Sequence, residues 1–177
     1  MARSHASWTR KRRNSAVAGG ISLAVVGTAL LAALFVWPGL TWPAIKARIA
    51  KEFPNVKSIS TADLAKRLAV KDTTILLDVR TAAEFDVSRI AGARRVDPDA
   101  GAIALPKNTP IVTYCSVGYR SAKFAQRLQE GGFTDVRNLE GSIFQWANEG
   151  RAIGPGTKVH PYDKKWGVLL EAARRAE

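Results

Sequence analysis

The only cysteine of the chain, Cys115, stands in the stretch TYCSVGYRSAKFAQRL, residues 113–128. The apolar run PIVTYC leads into it, and a helical pattern follows over residues 121–130. Gly118 and Arg120 come three and five residues after the cysteine. This order predicts that Cys115 lies on a short loop between the carboxyl end of a strand and the N-terminus of a helix.

A loop of this kind can hold an anion beside a reactive sulfur. The first N–H groups of a helix have no partner within the helix, and with the helix dipole they favour an anion and stabilise a thiolate. Gly118 lets the backbone turn tightly, and Arg120 adds a fixed positive charge. A lone cysteine is usually a buried core residue. The setting of Cys115 favours a nucleophile instead, and a thiolate needs no general base.

The length of the loop narrows the chemistry. The spacing from Cys115 to Arg120 is Cys-x4-Arg, one residue shorter than the Cys-x5-Arg loop with which cysteine phosphatases wrap a phosphate. The shorter loop favours one additional sulfur atom on the cysteine, so the first hypothesis is an enzyme that transfers sulfur. The second enzyme hypothesis is a phosphatase or arsenate reductase on the same scaffold. A third hypothesis is a carrier module that holds a persulfide for a partner protein with little turnover.

The elements that position this loop alternate between strands and helices. Four apolar runs predict strands, and each is followed by a helical pattern; the runs are VKSIS, TTILLDV, PIVTYC and TDVRNL. The stretch RIAGARRVDP supplies a turn glycine and predicts another short strand. This alternation predicts an α/β domain with a mainly parallel central sheet flanked by helices. Ligands of such sheets bind at the carboxyl ends of the strands, which is where Cys115 lies.

The predicted domain covers residues 56–150 and is preceded by a linker, residues 38–55. A C-terminal tail, residues 151–177, is interrupted by glycine and proline and has a short helix predicted near residues 166–176.

Residues 16–37 contain no charged side chain and read AVAGGISLAVVGTALLAALFVW. At ~1.5 Å per residue a helix of this length spans the ~30 Å hydrocarbon core. We therefore predict a transmembrane helix behind a basic segment, residues 1–15. A cleaved signal peptide is the first alternative, but it usually has a core of ~7–15 residues and a small-x-small cleavage site. An organellar targeting segment is the second alternative, since residues 1–15 are rich in Arg and Ser and free of acids.

The flanking charges predict the orientation. Five basic residues precede the apolar segment, and three follow it closely, namely Lys46, Arg48 and Lys51. The difference favours a cytoplasmic N-terminus and a domain outside the cytoplasm, in the periplasm if the source is bacterial.

Composition excludes several classes of site. One cysteine and two histidines, His5 and His160, argue against a cysteine-rich zinc site or a histidine metal cluster, and no metal or organic cofactor is implied. The net charge of +12 suits anionic partners. No basic stripe with interleaved aromatic residues stands in the body of the chain, so nucleic acid is not expected as a partner.

Three charged residues stand at the end of the second predicted strand or shortly after it. Asp78 and Arg80 stand at its end and are interpreted as a structural ion pair. Thr81 and Glu84 have the spacing of a capping box, so Glu84 is interpreted first as a helix cap.

At these residues the chain resembles the single-domain rhodanese family, over about residues 56–150. The resemblance rests on CSVGYRS (residues 115–121), LLDVR followed by Glu84, RIAGA (residues 89–93) and VRNLEGSIFQWANEG. Two departures are Arg89, where the family usually has histidine, and Ser142, where it often has a second glycine.

The resemblance implies a sulfurtransferase in which Cys115 carries a persulfide. It implies that the loop backbone holds the outer sulfur, through Ser116, Val117, Gly118, Tyr119, Arg120 and Ser121. Arg120 would orient an anionic donor such as thiosulfate, with Glu84 as its partner. The acceptor would be cyanide, a small thiol or a partner protein, and the two half-reactions would give ping-pong kinetics.

Overall fold

The computed structural model describes residues 41–99 and 103–177, which belong to one compact unit. The predicted transmembrane helix, residues 16–37, and the basic segment, residues 1–15, lie outside the described residues. Among the residues that are described, no helix has the length and apolar character needed to cross a membrane.

A five-stranded parallel sheet forms the centre of the unit. In chain order the strands are β1 Lys57–Ile59, β2 Ile75–Asp78, β3 Arg89–Ile90, β4 Arg94–Arg95, β5 Ile111–Tyr114, β6 Val136–Leu139 and β7 Ile153–Gly154. The sheet has the order β1-β6-β5-β2-β4, and every neighbouring pair in it is parallel. Strands β3 and β7 form a separate antiparallel pair. The prediction of an α/β fold with a mainly parallel sheet is confirmed.

Helices connect the strands, and their ends agree with local capping rules. The α-helices are α1 Trp42–Glu52, α2 Thr61–Ala69, α3 Ala82–Val87, α4 Tyr119–Glu130 and α5 Ser142–Asn148. Ser60 caps α2 by accepting from the Asp63 amide. Thr81 and Glu84 form the predicted capping box on α3. Helix α4 begins after Gly118, which adopts a left-handed conformation.

Two hydrophobic clusters cover the two faces of the sheet. Adjacent residues of one strand point to opposite faces, and accordingly Leu76 belongs to the first cluster and Leu77 to the second. The first cluster includes Leu64 of α2 and Phe144 of α5, and the second includes Phe124 of α4. Helices α2 and α5 therefore cover one face, and α4 covers the other. Trp146, predicted as a core residue, is buried in the first cluster.

The segment predicted as a linker contains α1. Thr41 caps this helix by accepting from the Ala44 amide, and Pro43 lies in its first turn, where its missing N–H costs nothing. Ile45 and Phe53 are buried against the rest of the unit. Residues 42–53 are therefore packed structure rather than an extended connection.

The C-terminal tail also packs on the unit, and the short helix predicted near residues 166–176 corresponds to two separate 3₁₀ helices. Two 3₁₀ helices, Trp166–Leu169 and Ala172–Arg174, occupy this stretch. Leu170 lies between them in an extended conformation with its side chain in the first cluster. Because the backbone of Leu170 is extended, the two 3₁₀ helices do not join into one continuous helix.

Asp78 and Arg80 form the predicted ion pair, and both side chains are fully buried. Arg80 donates to the Asp78 carboxylate from Nε (3.0 Å) and Nη2 (2.7 Å). It also donates to the carbonyls of Glu84 (3.2 Å) and Ser88 (2.6 Å). Burial alone would lower the pKa of Arg80, but the hydrogen bonds to Asp78 raise it above its ordinary value. The guanidinium thus ties the end of β2 to both ends of α3.

The Asp78→Ala substitution removes this carboxylate and leaves a buried, uncompensated guanidinium. We expect the free energy of unfolding, measured by urea denaturation at pH 7, to fall by about 3–5 kcal/mol. Lys66→Ala is the control because it breaks an exposed pair, Lys66–Asp63, and should cost less than about 1 kcal/mol. Equal losses in the two variants would contradict the structural role given to Asp78.

Candidate active site

Cys115 directly follows β5 and lies at the N-terminal end of α4. Its side chain is 1% exposed and belongs to the second hydrophobic cluster, yet it also lines a cavity. The Gly118 amide donates to the Cys115 sulfur over 3.2 Å. The sulfur therefore lies in an apolar setting, with one amide donor aimed at it from the N-terminal end of α4, where backbone N–H groups favour an anion.

Gly118 allows the loop to reverse within a confined space. Its φ is +108°, a value that residues with a side chain rarely adopt. A Cβ at this position would lie 3.3 Å from Ile49 Cδ1 and 3.5 Å from the carbonyl oxygen of Leu139. The carbonyl of Gly118 accepts from Asn138 Nδ2 (3.0 Å), and the Ser121 hydroxyl donates to Asn138 Oδ1 (2.6 Å). Strand β6 thereby holds the turn from one side.

Ser142 holds the cysteine backbone from the same side. The Cys115 amide donates to Ser142 Oγ (3.1 Å), and this hydroxyl donates to the Leu139 carbonyl (3.2 Å). The Ile143 amide donates to the Cys115 carbonyl (3.2 Å). Ser142 has a φ of +51°, which fits a position where glycine is common. Sequence reasoning noted Ser142 only as a departure from the family pattern. It did not predict that the hydroxyl of this residue supports the Cys115 backbone.

Glu84 and Arg120 meet on the other side of the loop. Arg120 donates to the Glu84 carboxylate from Nη2 (2.7 Å) and Nη1 (3.0 Å). Ser116 Oγ donates to the same carboxylate (2.8 Å) and accepts from Arg120 Nη2 (2.9 Å). The Thr81 amide completes the set by donating to Glu84 Oε2 (3.1 Å). The residues that sequence reasoning assigned to a helix cap and to an anion site thus form one network.

The charges of this network are stable near neutral pH. Burial alone would raise the pKa of Glu84, but the bonds from Arg120, Thr81 and Ser116 lower it to about 2. Burial would likewise lower the pKa of Arg120, whereas the Glu84 carboxylate and a negative charge on Cys115 raise it. Arg120 therefore stays charged and is coupled electrostatically to the sulfur.

A cavity of about 300 Å³ opens over the sulfur. The cysteine loop and the start of α4 supply Cys115, Ser116, Val117, Tyr119 and Arg120 to its walls.

The other walls come from α1 and the C-terminal tail. These segments contribute Ile45, Arg48, Tyr162 and Trp166. Sequence reasoning missed all four because they lie roughly 45–70 residues from Cys115, in segments predicted as linker and tail. The amphipathic pattern of α1 was the one available signal, and it does not say which surface the helix covers.

The remaining predicted residues lie behind the cavity or away from it. Asp78 and Arg80 do not line it, and they act on the site only by holding α3. Ser121 is fully buried and bonded to β6. His160 accepts from the Tyr162 amide through Nδ1 (3.0 Å). Within residues 41–99 and 103–177, no group of three or more His, Cys, Asp or Glu side chains is placed to hold a metal ion.

The low pKa of Glu84 has a consequence for stability. Its folded-state value of about 2 lies below the ordinary 4.5, so the unfolded chain takes up the proton first as the pH falls. The stabilisation is complete above about pH 4.5 and is lost toward pH 2, on the order of 3 kcal/mol in all. Glu84→Gln lacks it, so the difference in unfolding free energy between the native chain and this variant should narrow over that range.

Urea denaturation from pH 7 to pH 3 measures this difference. Asp86→Asn is the matched control, because Asp86 is an exposed carboxylate in the same helix. Its difference from the native chain should stay within about 0.5 kcal/mol throughout. A Glu84→Gln difference that does not change with pH would refute the charge network.

Comparisons with known proteins agree with this geometry. The model of the rhodanese-like domain family matches residues 60–149, about half of the chain. A sulfurtransferase of Allochromatium vinosum is 34% identical over 101 residues, which are 55% of this chain and 94% of that protein. The "Probable adenylyltransferase/sulfurtransferase MoeZ" of Mycobacterium tuberculosis is 34% identical over 79 residues, 42% of this chain but 20% of that protein. A tRNA uridine(34) hydroxylase of Staphylococcus aureus is 35% identical over 107 residues, 55% of this chain and 32% of the relative.

Two solved structures share the fold. A thiosulfate sulfurtransferase of Pseudomonas aeruginosa superposes with a TM-score of 0.55 at 19% identity, covering 67% of this chain and 23% of that one. A rhodanese-like domain from Anabaena gives 0.52 at 22% identity, covering 56% and 80%. The family match, the sulfurtransferase relative and the shared fold confirm the resemblance seen in the sequence: the chain belongs to the rhodanese-like domain family.

Proposed function

We propose that the protein is a sulfurtransferase that carries sulfur as a persulfide on Cys115. The observation that supports this most directly is the placement of its sulfur, which lines a cavity and accepts from the Gly118 amide at 3.2 Å. Cys115 also lies at the N-terminus of α4, where free backbone amides and the positive end of the helix dipole favour an anion. A second, negatively charged sulfur on Cys115 would be stabilised by the same donors.

The proposed reaction has two half-reactions. The Cys115 thiolate attacks the sulfane sulfur of an anionic donor such as thiosulfate, and the sulfur–sulfur bond of the donor breaks. The leaving group, which is sulfite when the donor is thiosulfate, departs with the bonding electrons. A thiophilic acceptor then takes the outer sulfur: cyanide becomes thiocyanate, or a thiolate becomes a persulfide, and the Cys115 thiolate is restored. Covalent catalysis of this type gives ping-pong kinetics.

Arg120 would offer free N–H donors to the anionic sulfur donor, and its guanidinium is already held in place. Three of its five N–H donors are used by Glu84 and Ser116. Among the described residues this leaves the Nε–H and one Nη1–H for an anionic donor that enters the cavity. The bonds to Glu84 hold the guanidinium in one orientation, so binding a donor requires little further ordering of this side chain.

We also propose that residues 16–37 anchor the protein in a membrane, with the N-terminus in the cytoplasm and the domain outside it. The support is the uncharged 22-residue segment and the excess of basic residues before it. An anchored domain would meet donors and acceptors on the far side of that membrane.

The mass of the protein after incubation with a donor tests the proposed sulfur transfer through Cys115. The purified full-length chain is incubated with thiosulfate and then with cyanide, and its intact mass is measured after each step. We expect one added sulfur atom after thiosulfate and its loss after cyanide, with thiocyanate released over many cycles. Because Cys115 is the only cysteine, the Cys115→Ser variant retains no thiol and should gain no sulfur.

The other outcomes separate the alternatives. No added sulfur, together with hydrolysis of p-nitrophenyl phosphate, would overturn the sulfurtransferase proposal in favour of a phosphatase. A persulfide that forms but transfers to neither cyanide nor small thiols would indicate a carrier for a protein acceptor.

The orientation is tested by a reporter fused after Glu177. An enzyme that is active only outside the cytoplasm, such as alkaline phosphatase, should be active in this fusion when it is expressed in bacteria. A matched fusion to a chain that lacks residues 1–37 should be inactive. An inactive full-length fusion at an equal protein level would contradict the proposed orientation.

A further inference from the structure

The cavity over Cys115 has walls that the family match does not include. Of its nine lining residues, four lie outside residues 60–149: Ile45, Arg48, Tyr162 and Trp166. The sulfur chemistry of the loop does not need these side chains. They surround the space that the rest of a sulfur donor would occupy.

The tail that supplies Tyr162 and Trp166 is firmly attached to the domain. Leu170 is buried in the first hydrophobic cluster. Asn148 of α5 donates to the Leu169 carbonyl (2.8 Å) and accepts from the Glu171 amide (3.0 Å). These contacts fix the C-terminal end of the first 3₁₀ helix against α5 and the core.

Tyr162 lines the cavity and has an unusual backbone conformation. Its φ is +66°, which non-glycine residues rarely adopt and which tends to persist where the surrounding structure enforces it. Its amide is bonded to His160 Nδ1 (3.0 Å). Its ring lies against the Arg120 guanidinium, 4.6 Å from the ring centroid. The tyrosine thus links the tail directly to the arginine of the cysteine loop.

Helix α1 supplies further walls of the cavity and contacts the first residue of α4. The hydroxyl of Tyr119 donates to Glu52, and the Arg48 guanidinium lies 5.4 Å from the centre of the Tyr119 ring. Ile45 is 5% exposed. The cavity therefore has aliphatic and aromatic walls with two guanidinium groups beside them.

These dimensions exceed what an inorganic donor needs. A cavity of about 300 Å³ has the volume of about ten water molecules at ~30 Å³ each, and lies at the lower end of the ~300–1,000 Å³ of organic-ligand sites. Thiosulfate has five heavy atoms and no apolar part that could contact Ile45, Tyr162 or Trp166. Where a small inorganic ion faced these apolar walls, it would lose water without gaining a hydrogen bond from them.

We infer that the donor is an organic sulfane-sulfur anion whose leaving group carries an apolar substituent of up to about the size of one ring, selected by Tyr162 and Trp166. This inference rests on the proposed function, since it assumes that Cys115 accepts sulfur. The anionic sulfur would face the loop amides and Arg120, and the substituent would contact the tail and Ile45.

The transfer step is the same for any member of this class. With a thiosulfonate, R–SO₂–S⁻, the Cys115 thiolate bonds to the terminal sulfur and the sulfur–sulfur bond of the donor breaks. The sulfinate R–SO₂⁻ leaves with the electron pair, and Cys115 keeps the persulfide anion. Charge and atoms balance without an added oxidant or reductant.

Two thiosulfonates that release the same type of leaving group test the inference. The full-length chain is assayed with benzenethiosulfonate and with methanethiosulfonate, with cyanide as acceptor, and the ratio of the two kcat/KM values is compared between variants. Intrinsic differences in donor reactivity cancel in that comparison. Because one apolar group in an enzyme pocket discriminates by ~10–200-fold, we expect Trp166→Ala to lower the ratio about tenfold and Tyr162→Ala about threefold.

Val168→Ala is the matched control. Val168 lies in the same 3₁₀ helix as Trp166 but is 60% exposed and does not line the cavity, so its ratio should equal that of the native chain. The exposed ring of Tyr162 can be removed without opening the core. If Trp166→Ala does not fold, Tyr162→Ala therefore tests whether the tail selects the donor.

A ratio within twofold of the native value in every folded tail variant would overturn the inference while leaving the sulfurtransferase proposal intact. A native chain that takes sulfur from neither thiosulfonate nor thiosulfate would overturn both.

Discussion

The burial of the Glu84 carboxylate is the constraint on which the arrangement of the site depends. A buried charge costs several kcal/mol unless hydrogen bonds and an opposite charge compensate it. Glu84 receives this compensation from its own helix start, through Thr81, and from the cysteine loop, through Ser116 and Arg120. Helix α3 and the loop therefore cannot move apart without exposing an unpaired charge. The same bonds explain why Arg120 has one orientation.

The opposite side of the loop is held by neutral groups rather than by charge. Asn138 and Ser142 bond to main-chain atoms of Gly118 and Cys115, and both side chains are buried. The loop is thus fixed on one side by an ion pair and on the other by an amide and a hydroxyl. Donors held in this way need no rearrangement when a charge forms on the sulfur, which is the main advantage of a preorganised anion site.

The predictable parts of this structure are those set by local patterns. The apolar run before Cys115 and the Thr81–Glu84 spacing each determine geometry within one or two turns, so the strand end and the helix cap follow from the sequence. The ion pair of Arg120 with Glu84 came only from the family resemblance. No local pattern placed Ile45 or Tyr162 at the cavity, because a helix pattern or a proline-interrupted tail does not specify the surface on which it packs.

The apolar walls also affect the chemistry of the loop. Water beside Arg120 would weaken its interaction with a charge on Cys115, whereas side chains such as Trp166 lower the local dielectric and strengthen that interaction. An outer sulfur anion exposed to bulk water would also lose some of the stabilisation that the loop amides provide. In the proposed reaction, the segments outside the family match would therefore have two connected effects. They would surround the organic part of a donor, and they would increase the electrostatic effect of the amides and of Arg120 on the sulfur. A substitution in the tail that admits water should accordingly reduce the stability of the bound persulfide as well as the affinity for its donor.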